Sequence, residues 1–480
     1  MKRARTFLGM AAIWSAAMLA ACGGGASPTR SVTVSHSGLS AQAGRVEYRV
    51  VGEGGAWTAL AATPGVASDV VEVPENAEAL LVRVLGADDE VLDEQLHLLT
   101  TGEQVAQAVR NDRWMTDDDR VQKSTLFGIT LPGAHDAGMG KVDSCSFYAN
   151  EATTRTQNTT VGRMLNDGIR YFDMRPMFVN PAFWSDPEMR LGHYSWVDTT
   201  VNLGIHKFTL RNEGCAGYTV RYALENVRDF MQGGDNRELV ILKFSHFQNL
   251  RVHDTDHSHF DAVDFRALEE MIEQKLGPYL LRGNRNFRTT PIAELTADGP
   301  KVIVTFDASG YDGSTGIYPQ SDLILYDEYS KTPSVSDMRA DQFSKMETHA
   351  PPLNGEQYWV NIFMCKQFVG PMSADCYKRA RAAWNKQTQV APLFVLSWTL
   401  TQTKNQMIAC SVAVTDELKW IAAQLGYECK TLPALGQAAN KHIDEIVSEV
   451  STKRRYPHIV YVDQSDKKAT NAAILINRMH

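Results

Sequence analysis

The chain has 480 residues, of which 44% are hydrophobic and 22% are charged. This composition is typical of a folded protein, and the length exceeds that of one ordinary domain, although a barrel can contain most of it. The formal net charge of −8 argues against nucleic acid as the main partner and against broad electrostatic attraction to anionic membranes.

The first 22 residues have the pattern of an export signal. Lys2 and Arg3 form a basic start, Phe7–Met18 is an apolar run, and the sequence LAAC ends at Cys22. This pattern resembles a bacterial lipoprotein signal, in which Cys22 becomes the lipidated first residue and residues 23–30 form a flexible tether. An ordinary secretory peptide with a chance cysteine is the alternative. The hypothesis predicts an exported protein that is lipid-anchored at a cell-envelope membrane without spanning it.

An even number of cysteines remains after Cys22, which favours disulfides in an exported protein. Their spacing contains no CxxC motif and no pattern typical of a metal site. Cys365–Cys376 and Cys410–Cys429 are plausible local pairs. These two pairs would leave Cys145 and Cys215 to pair with each other. The connectivity stays open at the level of the sequence.

Residues 31–100 have the pattern of a small β-sheet domain. Arg45–Val50 alternates apolar and charged residues, as a half-buried strand does, and Val70–Val73 and Leu80–Leu85 are further predicted strands. Turns rich in Pro and Gly separate these strands. The pattern predicts a fibronectin-like or immunoglobulin-like sandwich that serves as a spacer or a docking module.

After a predicted helical link from Gly102 to Asn111, apolar runs of strand length alternate with helical periodicity. Tyr218–Met231 is one of the predicted helices. The predicted strands are Phe127–Leu131, Ile169–Arg175, Leu239–Phe244, Val302–Phe306, Leu323–Tyr326, Leu393–Leu396 and Ile459–Val462. The alternation predicts an α/β fold, namely a distorted (β/α)8 TIM-like barrel over residues 101–480, preceded by the small β-sandwich.

The first predicted barrel strand leads to a histidine motif. The apolar run Phe127–Leu131 is expected to end at the Pro-Gly pair that follows it. His135 and Asp136 would then lie just past the carboxyl end of a buried strand, where parallel α/β sheets meet their ligands. A turn whose histidine faces solvent is the alternative for this motif alone.

Two further segments end in polar groups. Asp173 and Arg175 are two residues apart on the predicted strand Ile169–Arg175, so both should point to one face. The segment Met189–Gly192 delivers His193 after a short apolar approach. One imidazole can accept a proton while another donates one, and a guanidinium matches the geometry of a phosphate. These residues predict acid–base chemistry on a phosphate ester.

The motifs LPGAHDAG (Leu131–Gly138), QNTTVGRMLNDGIRYFDMRP (Gln157–Pro176) and LGH (Leu191–His193) resemble, in order and spacing, the X region of bacterial phosphatidylinositol-specific phospholipases C. The resemblance covers about residues 113–480, and the later strands ELVILKF, KVIVTFD, LFVLSWT and HIVYVD are similar to that family's barrel. It implies that the inositol 2-hydroxyl attacks phosphorus, so that diacylglycerol leaves and a cyclic inositol phosphate forms.

The resemblance also implies a role for each matching residue. These roles are His135 as general base, His193 as general acid, Arg175 as the group that stabilises charge on the phosphoryl oxygens, Asp463 as the carboxylate that orients the base, and Asp136 as the carboxylate paired with the acid, with Asp173 as a further member of the catalytic set. The implied partners are a phospholipid or inositol phosphodiester and the membrane surface. Because an arginine stands where the calcium-dependent form carries a ligand, the implied mechanism uses no metal and no cofactor.

The substrate-binding positions depart from the family's pattern. Lys243 is the candidate for a charge that bacterial members carry late in the fourth strand, although Ser245 could mark that charge as missing. Asp307 stands where an arginine holds inositol hydroxyls. Trp398 is a candidate for stacking on a sugar ring, with a core position as the alternative. The head group therefore stays open.

Two other functions compete with a phosphatidylinositol phospholipase C. A glycerophosphodiesterase on a similar barrel would need a metal and acidic residues around its first histidine motif. A catalytically weak envelope binding protein would not need the whole set of acid–base residues. The histidine-rich run that contains His246, His253 and His257 is interpreted as a solvated loop rather than a metal site.

Overall fold

The structure is a computed structural model that describes residues 28–37, 39, 42–51, 56–63, 65–100, 104–146, 148–179, 188–203, 206–233, 236–250, 259–353, 392–411 and 428–479, with the backbone alone at 63, 196–203 and 206–212. The predicted lipidation site Cys22 and the predicted pair Cys365–Cys376 lie outside the described residues. The chain divides into two compact units between Val109 and Arg110.

The first unit contains two antiparallel sheets with one apolar core. Its strands are β1 Thr29–Ser37, β2 Arg45–Val50, β3 Thr58–Leu60, β4 Ala62–Thr63, β5 Val66–Pro74, β6 Ala79–Leu85, β7 Val91–Leu98 and β8 Gln107–Ala108. The sheet orders are β1-β5-β4 and β3-β2-β6-β7-β8. Val32 and Val34 of one sheet and Val46, Leu80 and Val82 of the other belong to the same buried cluster. The predicted β-sandwich is confirmed, because inward-facing residues of both sheets pack into this shared core.

The predicted helical link into the second unit is wrong over its described part. Gln107–Ala108 forms a strand that pairs with β7, and Val105 bridges to Thr33. The backbone N–H of Ala106 donates to Thr33 O, and that of Val109 donates to the carbonyl of a β7 residue. This segment therefore satisfies its backbone groups by pairing with existing strands, which local helix propensity cannot reveal.

The second unit contains an eight-stranded parallel sheet in the order β18-β17-β15-β11-β9-β21-β20-β19. Its strands are β9 Leu131–Ala134, β11 Tyr171–Met174, β15 Leu239–Phe244, β17 Lys301–Phe306, β18 Ile317–Pro319, β19 Leu325–Tyr326, β20 Leu393–Trp398 and β21 Ile459–Val462. All residues of β15 and β20 are buried, as expected for parallel strands covered on both faces. Among the described residues the edge strands β18 and β19 do not pair with each other. The α/β class and the distorted TIM-like barrel are confirmed.

The first barrel strand starts later than predicted. Leu126–Gly128 is a 3-10 turn, and β9 includes the Pro132 and Gly133 that were expected to end it. The proline is tolerated because the ladder to β11 begins only at the pair Gly133–Tyr171. A Cβ on Gly133 would lie 2.9 Å from a side-chain methyl of Ile459, so the glycine permits close approach of neighbouring strands.

A second sheet of this unit carries the LGH motif. Its strands are β10 Ser144–Cys145, β12 Pro176–Val179, β13 Glu188–Leu203, β14 His206–Thr219 and β16 Gln248–Asn249, in the order β10-β14-β13-β12-β16. His193 therefore lies inside the long strand β13 of an antiparallel hairpin, and the expectation that it ends a short apolar segment in the manner of a barrel strand is wrong. The long hairpin was missed because polar and small residues dominate it.

Two of the predicted disulfides are present. Cys145 of β10 is bonded to Cys215 of β14, and these residues are directly opposed in the sheet. Cys410 is bonded to Cys429. Both pairings agree with the sequence-based arrangement.

Helices cover the barrel sheet. Their bounds are α1 Trp114–Asp117, α2 Asp119–Lys123, α3 Glu151–Thr154, α4 Val161–Asn166, α5 Val220–Gln232, α6 Ala262–Leu276, α7 Ile292–Leu295, α8 Val335–His349, α9 Lys404–Ser411, α10 Leu432–Asn440, α11 Asp444–Lys453 and α12 Lys467–Arg478. The side chain of Thr219 caps α5, and Val220, Leu224 and Val227 form its buried face, as their spacing predicts. None of the helices in the described ranges is both long and apolar enough to cross a membrane.

Candidate active site

The ends of three neighbouring barrel strands bring polar side chains together. His135 directly follows β9, Asp173 lies near the end of β11, and Asp463 directly follows β21. Because β9 pairs with both β11 and β21, these ends are adjacent. The arrangement follows from the parallel order of the sheet, in which carboxyl ends meet at one edge.

His135 is held through both its imidazole and its backbone carbonyl group. Its Nδ1 lies 2.8 Å from Oδ1 of Asp463. The Nε2 of Gln157 donates to the carbonyl oxygen of His135 at 2.7 Å, and the ring of Tyr461 packs edge-on at 5.3 Å. With its Nδ1 bonded to a carboxylate, the ring presents Nε2 to the site.

His193 has the same arrangement on the opposite side. Its Nδ1 lies 2.5 Å from Oδ2 of Asp136, a buried carboxylate whose backbone φ is 41°. The ring centroids of His135 and His193 are 6.5 Å apart. A left-handed backbone at a residue other than glycine is uncommon, and here it accompanies a side chain that points back into the site.

Arg175 contacts the imidazole of His135 and the carboxylate that is bonded to His193. Its Nε contacts Oδ1 of Asp136 and lies 2.9 Å from Oδ2 of Asp173, while its Nη2 is 3.0 Å from Nε2 of His135. Burial disfavours the charged guanidinium, but the two carboxylates outweigh burial and raise the pKa of Arg175. The site therefore contains a permanent positive charge beside the space between the histidines.

The site charges also set the protonation of the acids and of His135. Burial alone would raise the pKa of Asp136, but Arg175 and the two histidines lower it to about 2. Burial would lower the pKa of His135, but Asp136 and Asp463 together raise it to about 9. The contact from Arg175 requires an unprotonated Nε2, so it belongs to the neutral form of this imidazole.

A cluster of one histidine and two aspartates in the site could hold a metal ion. Ligand atoms of His135, Asp136 and Asp173 all lie within 4.8 Å of one another. The guanidinium of Arg175 already contacts both carboxylates, and a cation placed there would be repelled by it. The chemistry of this donor set therefore fits an internal cation better than a bound one.

Lys243 and Asp327 extend the site on one side. Lys243 is buried on β15, where its Nζ lies 3.0 Å from Oδ2 of Asp327 and 3.7 Å from Oδ1 of Asp173. Burial opposes its charge, but nearby acidic groups raise its pKa. The sequence prediction missed Asp327, although its position directly after β19 is the same strand-end signal that marks the other site residues.

Asp173 accepts hydrogen bonds from Arg175 and from two further side chains that the sequence prediction did not identify as its partners. Its Oδ2 accepts a hydrogen bond from the hydroxyl of Tyr461 at 2.8 Å as well as from Arg175. The hydroxyl of Ser245 lies 3.3 Å from its Oδ1 and 2.9 Å from Nδ1 of His246. His246 lies two residues after β15 and is exposed, which agrees with its interpretation as part of a solvated loop, but it also contacts Ser245, while His253 and His257 lie outside the described residues.

The two remaining substrate-binding candidates, Asp307 and Trp398, differ in their exposure. Asp307 follows β17 and is exposed, as expected at a strand end. Trp398 is fully buried, and its indole N–H donates to the carbonyl oxygen of Ala439 at 2.9 Å. Neither face of its ring is open to a sugar, so the proposed stacking role is wrong and Trp398 is a core residue.

Comparison with known proteins gives similar structures but no sequence matches. No family model matches the chain. No curated protein matches it either. It is similar to the phosphatidylinositol-specific phospholipase C from Listeria monocytogenes, with 13% identity, a TM-score of 0.42, and 77% of this chain and 99% of that chain covered. A phosphatidylinositol-specific phospholipase C from Staphylococcus aureus gives 13% identity, a TM-score of 0.42, and coverage of 77% and 97%. A calcium-dependent phosphoinositol-specific phospholipase C from a Gram-negative Pseudomonas sp gives 10% identity, a TM-score of 0.23, and coverage of 66% and 91%.

Proposed function

We propose that the protein cleaves a phosphodiester of the phosphatidylinositol type by general acid–base catalysis with His135 and His193. One observation carries the proposal: two imidazoles lie 6.5 Å apart between their centroids, and each is bonded through Nδ1 to its own carboxylate. Both rings can therefore offer Nε2 to one phosphate, one as acceptor and one as donor.

The reaction needs one proton at each end of the displacement. The Nε2 of His135 takes the proton of a hydroxyl next to the phosphate in the substrate's head group, and the oxygen so activated forms a bond to phosphorus. The bond from phosphorus to the leaving oxygen breaks, and Nε2 of His193 supplies the proton that makes this oxygen the hydroxyl of diacylglycerol. The products are a cyclic phosphodiester and the alcohol, so no water and no cofactor enters this step.

Arg175 supplies the positive charge at phosphorus. Its guanidinium is already held by Asp136 and Asp173, and its Nη2 reaches the catalytic nitrogen of His135. A phosphate that draws this Nη2 onto its own oxygen frees Nε2 of His135 to act as base. Substrate binding and activation of the base are then one event.

The head group and the membrane attachment belong to the same proposal. Lys243 and Asp327 offer a charged pair beside the phosphate position that suits a polyhydroxylated head group, which supports phosphatidylinositol or a related lipid. We propose in addition that Cys22 carries the acyl chains that keep the exported enzyme at an envelope membrane. This second point rests on the sequence LAAC alone.

The direct test is product analysis. Purified protein is incubated with phosphatidylinositol vesicles, and the water-soluble phosphorus compounds are followed by phosphorus NMR. We expect a cyclic inositol phosphate to appear before any phosphomonoester. Release of a phosphomonoester without a cyclic precursor would contradict the internal nucleophile, and the absence of turnover would exclude this substrate.

A metal-dependent phosphodiesterase is the second candidate, because His135, Asp136 and Asp173 could together bind a cation. Such an enzyme would act on a glycerophosphodiester-type substrate by activating water. The two candidates differ in one measurement, since a strong chelator would abolish the metal-dependent reaction and leave the acid–base reaction unchanged.

A further inference from the structure

A third histidine lies next to the catalytic pair. Ser245 directly follows β15, and its backbone N–H donates to the carbonyl oxygen of Met174 at 3.0 Å, which continues the ladder to β11. His246 follows with φ 56°, a left-handed conformation that histidine tolerates better than most residues. The turn leaves its imidazole exposed at the carboxyl edge of the barrel.

The hydrogen bonds around Ser245 fix the tautomer of His246. The carboxylate of Asp173 can only accept hydrogen bonds, so Ser245 Oγ, 3.3 Å from Oδ1, must donate to it. The hydroxyl has one proton, so in its contact of 2.9 Å with Nδ1 of His246 the oxygen must accept. Nδ1 of His246 therefore carries a hydrogen, and in the neutral ring Nε2 is the unprotonated acceptor.

The surroundings keep this imidazole neutral. Although the residue has an exposed face, partial burial of its ring is the main cause that lowers the pKa of His246, and the positive charge of Arg175 lowers it further. Asp173 and Asp136 act in the opposite direction but are outweighed. A neutral ring with a fixed tautomer offers a hydrogen-bond acceptor without the negative charge that would repel a phosphate.

We infer that His246 binds the head group of the substrate, with Nε2 accepting a hydrogen bond from a hydroxyl other than the one that attacks phosphorus. This inference deepens the proposed function and rests on it. A phosphate oxygen has no proton to donate, and an ammonium group would be repelled by Arg175 and Lys243, so a neutral hydroxyl is the matching chemistry. Ser245 acts as a positioning residue that transmits the orientation of Asp173 to the ring.

The test compares two soluble esters that share a phosphate, a leaving group and an internal hydroxyl nucleophile. One is 4-nitrophenyl inositol phosphate, and the other is 2-hydroxypropyl 4-nitrophenyl phosphate, which has no second hydroxyl. For His246→Ala we expect the ratio of kcat/KM for the inositol ester to that for the hydroxypropyl ester to fall about tenfold, the equivalent of about 1.4 kcal/mol. His246→Asn, which tolerates the left-handed backbone and keeps an acceptor, should recover part of this ratio.

Two further variants separate binding from structure. His259→Ala removes an exposed histidine that, within the described chain, joins none of the site's hydrogen bonds, and it should leave the ratio unchanged. Ser245→Ala keeps the imidazole but frees its tautomer, so it should lower the ratio by less than His246→Ala does. All variants are checked for the same midpoint of thermal unfolding.

The outcomes are distinct. Failure of the wild-type protein to cleave either ester overturns the proposed function, and the inference with it. Wild-type cleavage with equal losses on both esters in His246→Ala, or with no loss on either, overturns the inference alone. Loss confined to the inositol ester supports both.

Discussion

His135 and His193 reach the same site from two differently built regions. His135 sits at the end of β9, a central strand of a parallel barrel sheet that is paired on both sides. His193 sits within β13, in the antiparallel part of a separate sheet, directly opposite the disulfide-bonded Cys215. The proposed base is therefore placed by the barrel and the proposed acid by a hairpin that a disulfide joins to β10, so the two regions can be disturbed separately.

The largest expected effect is the loss of either imidazole. His135→Ala and His193→Ala should each lower kcat by about 10²–10⁴-fold, because each removes one of the two proton transfers. The double variant should lose little more than the worse single one, since the residues act as a unit. His442→Ala, which removes a histidine bonded to Glu445 on α11, is the control. Near-wild-type turnover in either single variant would show that the two-histidine mechanism is wrong.

The second largest effect is expected from loss of the positive charge of Arg175. Arg175→Asp should lower kcat by about 10²–10³-fold, the usual cost of losing a preorganised charge at the reacting phosphate. Added calcium should restore a small part of this rate, because a third carboxylate would then complete a cation site. Arg228→Gln, at a half-exposed arginine paired with its neighbour Asp229, should have no effect. Wild-type activity that is lost in chelator and restored by a metal ion would overturn the role given to Arg175.

Breaking the hairpin's cross-link should affect the acid and spare the base. The double substitution Cys145→Ser, Cys215→Ser should lower kcat about tenfold, because β14, whose Cys215 lies opposite His193, is then less firmly held. Amide hydrogen exchange should accelerate in β13 and β14 and stay slow in β9 and β21. Uniform acceleration in both sheets would mean that the two regions are not independent.

The smallest effect concerns only the base. The pKa of His135 is raised above its ordinary value, so the imidazole is protonated below about pH 9, and the fraction of active neutral base grows as the pH rises through that value. Asp463→Asn removes one of the charges that favour the proton. The rising limb of kcat/KM against pH should therefore move to lower pH by about one unit. A limb that keeps its position would assign it to another group.

The same contrast explains what could be predicted from the sequence. Barrel strands such as β15, β17 and β21 were predicted because they are short, continuous apolar runs with clear ends. The start of β9 was misplaced because Pro132 and Gly133 resemble a strand terminator, and only the neighbouring strands show that a glycine is needed there. The hairpin has no comparable apolar signal.

Some residues of the candidate site could be predicted from the sequence and others could not. The residues that the family motifs cover come together as expected, although the roles assigned to them remain predictions. Asp327 was missed, and the contact of His246 with Ser245 was not predicted, because both residues join the site through contacts, with Lys243 and with Ser245 respectively. A single sequence contains the residues of such contacts but not the distances between them. Trp398 was misassigned because a strand-end position does not decide which way a side chain points.

The bond between His135 and Asp463 joins residues 328 positions apart, and Gln157 bonds both to the carbonyl oxygen of His135 and to the backbone and hydroxyl of Ser465. A ribosome makes the N-terminal partners first and the strand that carries Asp463 among the last. Until that strand emerges and inserts beside β9, the growing chain holds both histidines and Arg175 but lacks the carboxylate that orients the base. On the proposed function, the chain would thus remain inactive throughout its own synthesis, and activity would begin only once the whole chain had folded.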